Sequence, residues 1–186
     1  MSTALRASAA ILLAAIVALA SPVRSNTQVH LVDQTGQPFT FASLRGEPLI
    51  VTFVAAHCTD ACPLVNAQFA QADQLFVRRH LSVRLLTITL DPENDPPAVM
   101  RDLAQRFDAN PRRWLVASGS TRNVHTVMSL FGVQTQRGRD GYADVHTTFV
   151  YIFDKHGILR KTILASTMLG VQLADEVRSQ WRRLGQ

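Results

Sequence analysis

One passage constrains this chain more than any other: the apolar, β-branched run from Leu49 to Val54 is followed by Cys58 and Cys62, the chain's 2 cysteines, and then by Pro63. A strand read over Leu49–Val54 and a helix read from Pro63 place both thiols where a strand ends and a helix begins. Pro63 is tolerated only in a first helical turn, where its missing N–H would have no partner. Cys62 therefore lies in or just before that turn, and Cys58 in the loop ahead of it, with Thr59 or Asp60 as caps. A helix N-terminus offers free N–H groups and partial positive charge, so this position is expected to favour thiolate.

Two cysteines in an exported chain first suggest one structural disulfide. Their placement argues otherwise. A structural bridge gains most when it closes a long loop, whereas this pair encloses only Thr59, Asp60 and Ala61. Such closeness suits a reversible disulfide, whose Cα atoms must lie about 4.4–6.8 Å apart, and equally lets both sulfurs reach one ion.

Export itself is read from the N-terminus. Arg6 precedes an apolar run, Ala9 to Ala20, and Ala18-Leu19-Ala20 fits a small-residue cleavage site before Ser21-Pro22. Residues 1–20 are thus expected to be a signal peptide; the run is short beside the ~20 apolar residues of a membrane span, and retention as an anchor is the alternative. The expected location is periplasmic. The remainder, residues 27–186, reads as one domain, since 186 residues with 47% hydrophobic content suffice for one core.

The net charge of +5 is carried mostly by arginine. These arginines are scattered along the chain, from Arg78 and Arg84 through Arg137 to Arg178, without the clustered stripe and interleaved aromatics of a nucleic-acid surface. The charge is read as solvated surface, and no nucleic-acid partner is expected.

The remaining elements alternate. Val29 to Phe41, broken by Asp33–Pro38, reads as a hairpin. Leu49–Val54 lacks alternation, as a strand covered on both faces does. Pro63–His80 is helical, with Val65, Phe69, Ala72, Leu75 and Phe76 on one side. A strand follows over Val83–Leu90, then a helix opened by Pro96-Pro97 with Val99, Met100, Leu103 and Phe107 at helical spacing. Trp114–Ala117 is a short strand, and Ser118-Gly119-Ser120 leads into a helix bearing Val124, Val127, Met128 and Phe131. A polar loop spans Gln134–Asp144. Thr147–Phe153 and Ile158–Leu164 form a hairpin about Lys155-His156-Gly157, and Val171–Trp181 closes as a helix. This order predicts an α/β fold with a central mixed sheet flanked by helices and an N-terminal hairpin. The thiols fall at the carboxyl end of the first central strand, where open α/β sheets place their sites.

In several blocks the chain resembles the Sco/SenC family of thioredoxin-like copper proteins, which serve in cytochrome c oxidase assembly. The blocks are Phe53–Pro63 with its Cys-x-x-x-Cys-Pro, Thr89–Asp95 after the next strand, the Trp114 strand with its Gly119 turn, and Val145–Tyr151 late in the chain. Together they cover nearly everything after the leader. The family typically has Pro after the first cysteine of the pair, where this chain has Thr59; the change removes no ligand but touches the loop that sets redox potential and copper affinity. Ordinary thioredoxins carry a cis-proline before the late strand; no proline stands between Asp144 and Thr148, and the resemblance puts His146 in its place, facing the cysteines.

The resemblance implies a thioredoxin-like fold and a metal site of Cys58, Cys62 and His146. Two thiolates and one imidazole form a soft donor set that suits Cu(I), can also hold Cu(II), and resembles a catalytic zinc site completed by water. Three ligands leave an open side through which copper can be handed on. Loading needs the dithiol, because a disulfide has no thiolate to donate. The implied function is a periplasmic copper metallochaperone, delivering copper to the copper-site subunit of cytochrome c oxidase or to another periplasmic copper protein. A thiol–disulfide oxidoreductase, with Cys58 and Cys62 as the redox pair reducing an acceptor's cysteines, is the alternative. A peroxidase using Cys58 with Cys62 as resolving thiol is weaker, since no Thr-x-x-Cys-type pocket or arginine stands beside the pair.

Other residues have plainer readings beside the functional ones. His57 is a candidate to tune its neighbouring thiol. Asp91 reads as a turn carboxylate or part of a partner-facing surface. His125 falls among apolar positions and reads as a core or boundary histidine, while His30, His80 and His156 read as surface or turn residues. Met100, Met128, Trp114 and Trp181 read as packing.

Overall fold

A computed structural model describes residues 29–59, 61–144 and 148–184; the leader, Asp60 and His146 lie outside these, as do the side chains of Asp144 and of 180–184. Strands β1 (Leu31–Val32) and β2 (Pro38–Phe39) pair antiparallel. Asp33 builds their turn: one carboxylate oxygen accepts from the Thr35 N–H at 2.8 Å, the Thr35 hydroxyl at 2.7 Å and the Gln37 N–H at 3.0 Å. The expected hairpin is therefore present, and it is followed by a 3₁₀ turn over Phe41–Leu44 that Thr40 caps.

β3 (Leu49–Val54) lies at the middle of a five-stranded sheet of order β5-β4-β3-β8-β9. It runs parallel to β4 (Arg84–Thr89), which runs parallel to β5 (Trp114–Ala117). On its other side it is antiparallel to β8 (Phe149–Phe153), itself antiparallel to the edge strand β9 (Leu159–Leu164). Every residue of β3 is buried because both faces are covered. Ile50 and Val54 face a cluster built with Val65, Phe69 and Phe76 of α1 (Ala61–Arg78), Met100 and Leu103 of α2 (Pro97–Arg106), and Leu173 and Val177 of α4 (Leu169–Leu184). Val51 and Phe53 face Val124, Val127 and Met128 of α3 (Thr121–Phe131), together with Leu31 and Leu44. Trp114 fills the first cluster, and its indole N–H donates to the Thr87 hydroxyl at 3.0 Å.

The structure differs from the sequence expectation in a few places. The loop over Gln134–Asp144 contains a short antiparallel pair, β6 (Gln136–Arg137) and β7 (Ala143–Asp144). Its strands lack apolar alternation, so no period-2 signal betrays it. His125 is exposed, not at a core or boundary position, because α3 turns Val124, Val127 and Met128 inward and leaves its neighbour on the solvent face. His30, His80 and His156 are exposed as expected. Met100 and Met128 are buried packing residues.

Candidate functional site

The carboxyl end of β3 and the first turn of α1 hold the two thiols. The Cys58 N–H donates to the Ala55 carbonyl at 3.2 Å, which turns the chain back after the strand. α1 begins at Ala61, so Cys62 and Pro63 both sit in its first turn, where the proline's missing donor costs nothing. Both cysteines are free thiols; Cys58 is half-buried and Cys62 is 2% exposed. Cys62 Sγ accepts from the Ala55 N–H at 3.4 Å, and the Cys58 thiol lies close enough to act on the Cys62 thiol.

The expectation that the helix N-terminus favours thiolate is overturned for Cys62. Burial pushes its thiol well above the ordinary thiol range; the Ala55 N–H opposes this, while Cys58 and Asp95 add to the rise. The partial charge of a helix end does not offset removal of the sulfur from water. Cys62 is thus the protected member of the pair and Cys58 the accessible one.

A chain of polar contacts fixes the turn from below. The Asn66 side-chain amide donates to the Cys62 carbonyl at 3.0 Å, the Thr87 hydroxyl donates to Asn66 Oδ1 at 3.3 Å, and Trp114 donates to Thr87. All are buried, so each supplies a partner that the next could not leave unpaired cheaply.

The loop after β4 brings two carboxylates to the same end of the sheet. Asp95 Oδ2 accepts from the Ala56 N–H at 2.9 Å and from the Thr89 hydroxyl at 2.8 Å. Burial raises the Asp95 carboxyl above its ordinary value, against the pull of those two donors; Asp91 adds to the rise and His57 opposes it. Asp91 is fully buried and accepts from the Asn94 amide and the Ala143 N–H, both at 2.8 Å, and from Arg137 at 3.3 Å. Burial alone would raise its carboxyl, but Asn94, Ala143 and Arg137 together hold it below the ordinary range. The turn-carboxylate reading of Asp91 is therefore right, and its reach is longer than a local turn: it pins the β6–β7 hairpin across the loop. Arg137 reinforces the pin by donating to Glu93 at 2.6 Å and to the Gly141 carbonyl at 2.7 Å.

From that hairpin Tyr142 lays its ring on the His57 imidazole, centroids 4.0 Å apart and planes 33° from parallel. Asp95, Arg137 and Tyr142 are functional neighbours that sequence reasoning missed. Asp95 stands within the quoted Thr89–Asp95 block, but its target, a backbone N–H beside Cys58, is visible only in the fold.

Cys58 and Cys62, expected together, are brought together. His146 lies outside the described residues. Among the described residues no group of three or more His, Cys, Asp or Glu side chains is arranged to hold a metal ion.

The fold matches known proteins. The structure of Bradyrhizobium japonicum ScoI with copper bound aligns at TM-score 0.70 and 25% identity, covering 81% of this chain and 96% of that one. BsSco, a member of the Sco family of cytochrome c oxidase assembly proteins in which a disulfide switch was identified, aligns at TM-score 0.68 and 19% identity, covering 81% and 89%. In sequence, a SCO2-like protein of Rickettsia typhi is 26% identical over 134 residues, 69% of this chain and 64% of that protein's length, so the chain spans less than two thirds of that relative. The thioredoxin-like fold expected from the resemblance is thus present, and with the SCO1/SenC family model matching residues 19–182, the chain belongs to the SCO1/SenC family.

Proposed function

We propose that this protein is a copper carrier that works in cytochrome c oxidase assembly outside the cytoplasm, with Cys58, Cys62 and His146 as ligands and copper as its cargo. The observation that carries the reading is the thiol pair itself: two free, neighbouring sulfurs at the end of β3, one half-buried and one buried. Sulfurs that close can converge on one ion, and thiolates are the donors that Cu(I) prefers. Family membership and the copper-bound ScoI structure of similar fold support the same reading. When bound, copper would be held by the thiolates of Cys58 and Cys62 and the neutral imidazole of His146, and would draw thiolate out of the Cys62 thiol despite its burial.

The chain's own groups set the order of events. Cys58 is the sulfur a partner meets first, and Cys62, bonded by the Ala55 N–H, waits beneath it. As a dithiol the pair can take copper; as a disulfide it cannot, and forming that disulfide releases two protons and two electrons to an acceptor. Carriage and thiol exchange therefore compete for the same two atoms. The proposed recipient is the copper-site subunit of the oxidase or another exported copper protein, and the leader at residues 1–20 is proposed to deliver the chain to the periplasm.

Copper titration of the reduced protein beside His146→Ala, read by absorption and mass spectrometry, tests the proposal. The wild type is expected to bind one copper per chain and the variant to bind it at least about tenfold more weakly. Equal affinity in the two would remove His146 from the site, and no copper uptake by the reduced wild type would leave thiol–disulfide exchange as the function.

A further inference from the structure

On the sheet face opposite α1 and α4, away from the thiols, lies a cavity of about 640 Å³. Its floor is aromatic: Phe131 packs against Tyr151 at 4.9 Å, Phe41 at 5.7 Å and Phe153 at 5.7 Å between ring centroids, and Val29, Leu44 and Leu49 complete it. The Tyr151 hydroxyl is already spent, donating to the Phe131 carbonyl at 3.1 Å. At the rim Leu130 is 74% exposed and Leu159 is 48% exposed. The volume falls within the roughly 300–1,000 Å³ of small-molecule sites, which are mostly apolar with a few placed polar groups.

The charges at this cavity are unequal. Glu47 is neutralised by Arg84 at 2.8 Å and Asp154 by Arg160 at 2.6 Å. Arg45, which also lines the cavity, makes no ion pair among the described residues and is exposed. Beside it the Gly46 N–H donates to the Lys155 carbonyl at 2.9 Å, and Arg45 Nε lies over Gly157, 3.5 Å from where a Cβ there would stand. One guanidinium with no ion pair among the described residues thus stands at an aromatic groove, with both neighbouring carboxylates already paired.

We propose that this groove binds a single-chain amphipathic carboxylate, a medium-chain fatty acid, with its alkyl tail over Phe131, Phe41 and Phe153 and its carboxylate on Arg45. The charge balance at the mouth selects an anion over a cation or a neutral head group. The aromatic floor offers nothing to a polar ligand, since its one hydroxyl is engaged. The site shares no residue with the thiol pair, so binding is independent of copper.

Dodecanoate, kept below its micelle-forming concentration, is titrated into the isotopically labelled full chain and followed by calorimetry and methyl NMR, with dodecanol as the uncharged control. Saturable binding is expected, with shifts concentrated at Val29, Val127, Leu130 and Leu159. Arg45→Glu, a change at an exposed position, is expected to weaken dodecanoate about tenfold while leaving dodecanol unaltered, as loss of a charge-assisted contact would. Copper affinity of the variant stays at the wild-type value. Absence of saturable binding, or shifts outside the groove, would overturn the proposal. So would equal effects of Arg45→Glu on acid and alcohol, binding to anionic vesicles without binding to monomeric dodecanoate, or self-association of the chain through this face.

Discussion

Asp95 lets the link between the β4 loop and the thiol loop be measured. Both of its side-chain contacts, from the Ala56 N–H and the Thr89 hydroxyl, converge on Oδ2. Asp95→Ala removes that shared acceptor and strands two donors, one of them the Ala56 N–H two residues before Cys58. With hydrogen bonds to a charged acceptor worth about 1.5–3 kcal/mol each, and part of that offset because a buried carboxylate is released, a net loss of about 2–4 kcal/mol is expected. Asp95→Asn keeps one carbonyl oxygen for both donors, so its loss should be under about 1 kcal/mol. The two variants also differ from the wild type in pH dependence. Since burial raises the Asp95 carboxyl above its ordinary value of 3.8, its contribution is whole below pH 3.8 and is lost as pH rises through the folded-state value. Asparagine does not titrate, so the variant loses that decline, and its stability relative to wild type improves from acid to neutral pH. Urea unfolding of the reduced proteins across that range measures both effects. If Asp95→Asn costs as much as Asp95→Ala, the two donors do not share one oxygen in the way argued.

Two other outcomes follow from the same contacts. Limiting iodoacetamide added to the reduced protein at neutral pH is expected to label Cys58 and spare Cys62, since Cys62 is buried and its thiol is pushed up by that burial; peptide mass spectrometry reads the ratio, and equal labelling would contradict the asymmetry. At the β8–β9 turn, burial would raise the Asp154 carboxyl, but the Ile158 N–H, Arg160 and the His156 N–H outweigh it and hold it below the ordinary value. Its stabilising contribution is therefore present above pH 3.8 and lost as pH falls through the lower folded value, so Asp154→Asn should destabilise by about 1–3 kcal/mol at neutral pH and converge on wild type in acid, as thermal unfolding would report.

Much of the fold is legible because its signals are local. The unbroken apolar run of β3 announces a strand covered on both faces, and Pro63 fixes the start of α1 to within a turn. The Asp33-to-Pro38 turn is written in its own residues. The β6–β7 hairpin was not legible, because what holds it is remote: Ala143 donates to Asp91, 52 positions earlier in the chain, and Arg137 reaches back to Asp91 and Glu93. Neither strand carries an apolar face from which pairing could be read. His125 misled for a related reason: apolar neighbours in sequence do not fix which side of a helix faces the core when α3 has a strong inward stripe one residue away.

The site divides along the same line. Spacing brings Cys58 and Cys62 together, but it treats the two sulfurs alike, and a helix end argues for thiolate at the one closer to it. The fold separates them, since the first turn of α1 points Cys62 into the cluster of Ile50, Val54 and Val65, where desolvation outweighs the helix end. That separation gives the pair a direction. On the proposed reading, an incoming sulfur or metal ion meets Cys58 first, and Cys62 commits only when a metal ion stabilises its thiolate or when it gives up its proton in closing a disulfide with Cys58. A buried thiol bonded by the Ala55 N–H, on a backbone turn that Asn66 and Thr87 brace, therefore makes Cys62 slow to react unprompted and placed to close on Cys58 once that sulfur is engaged.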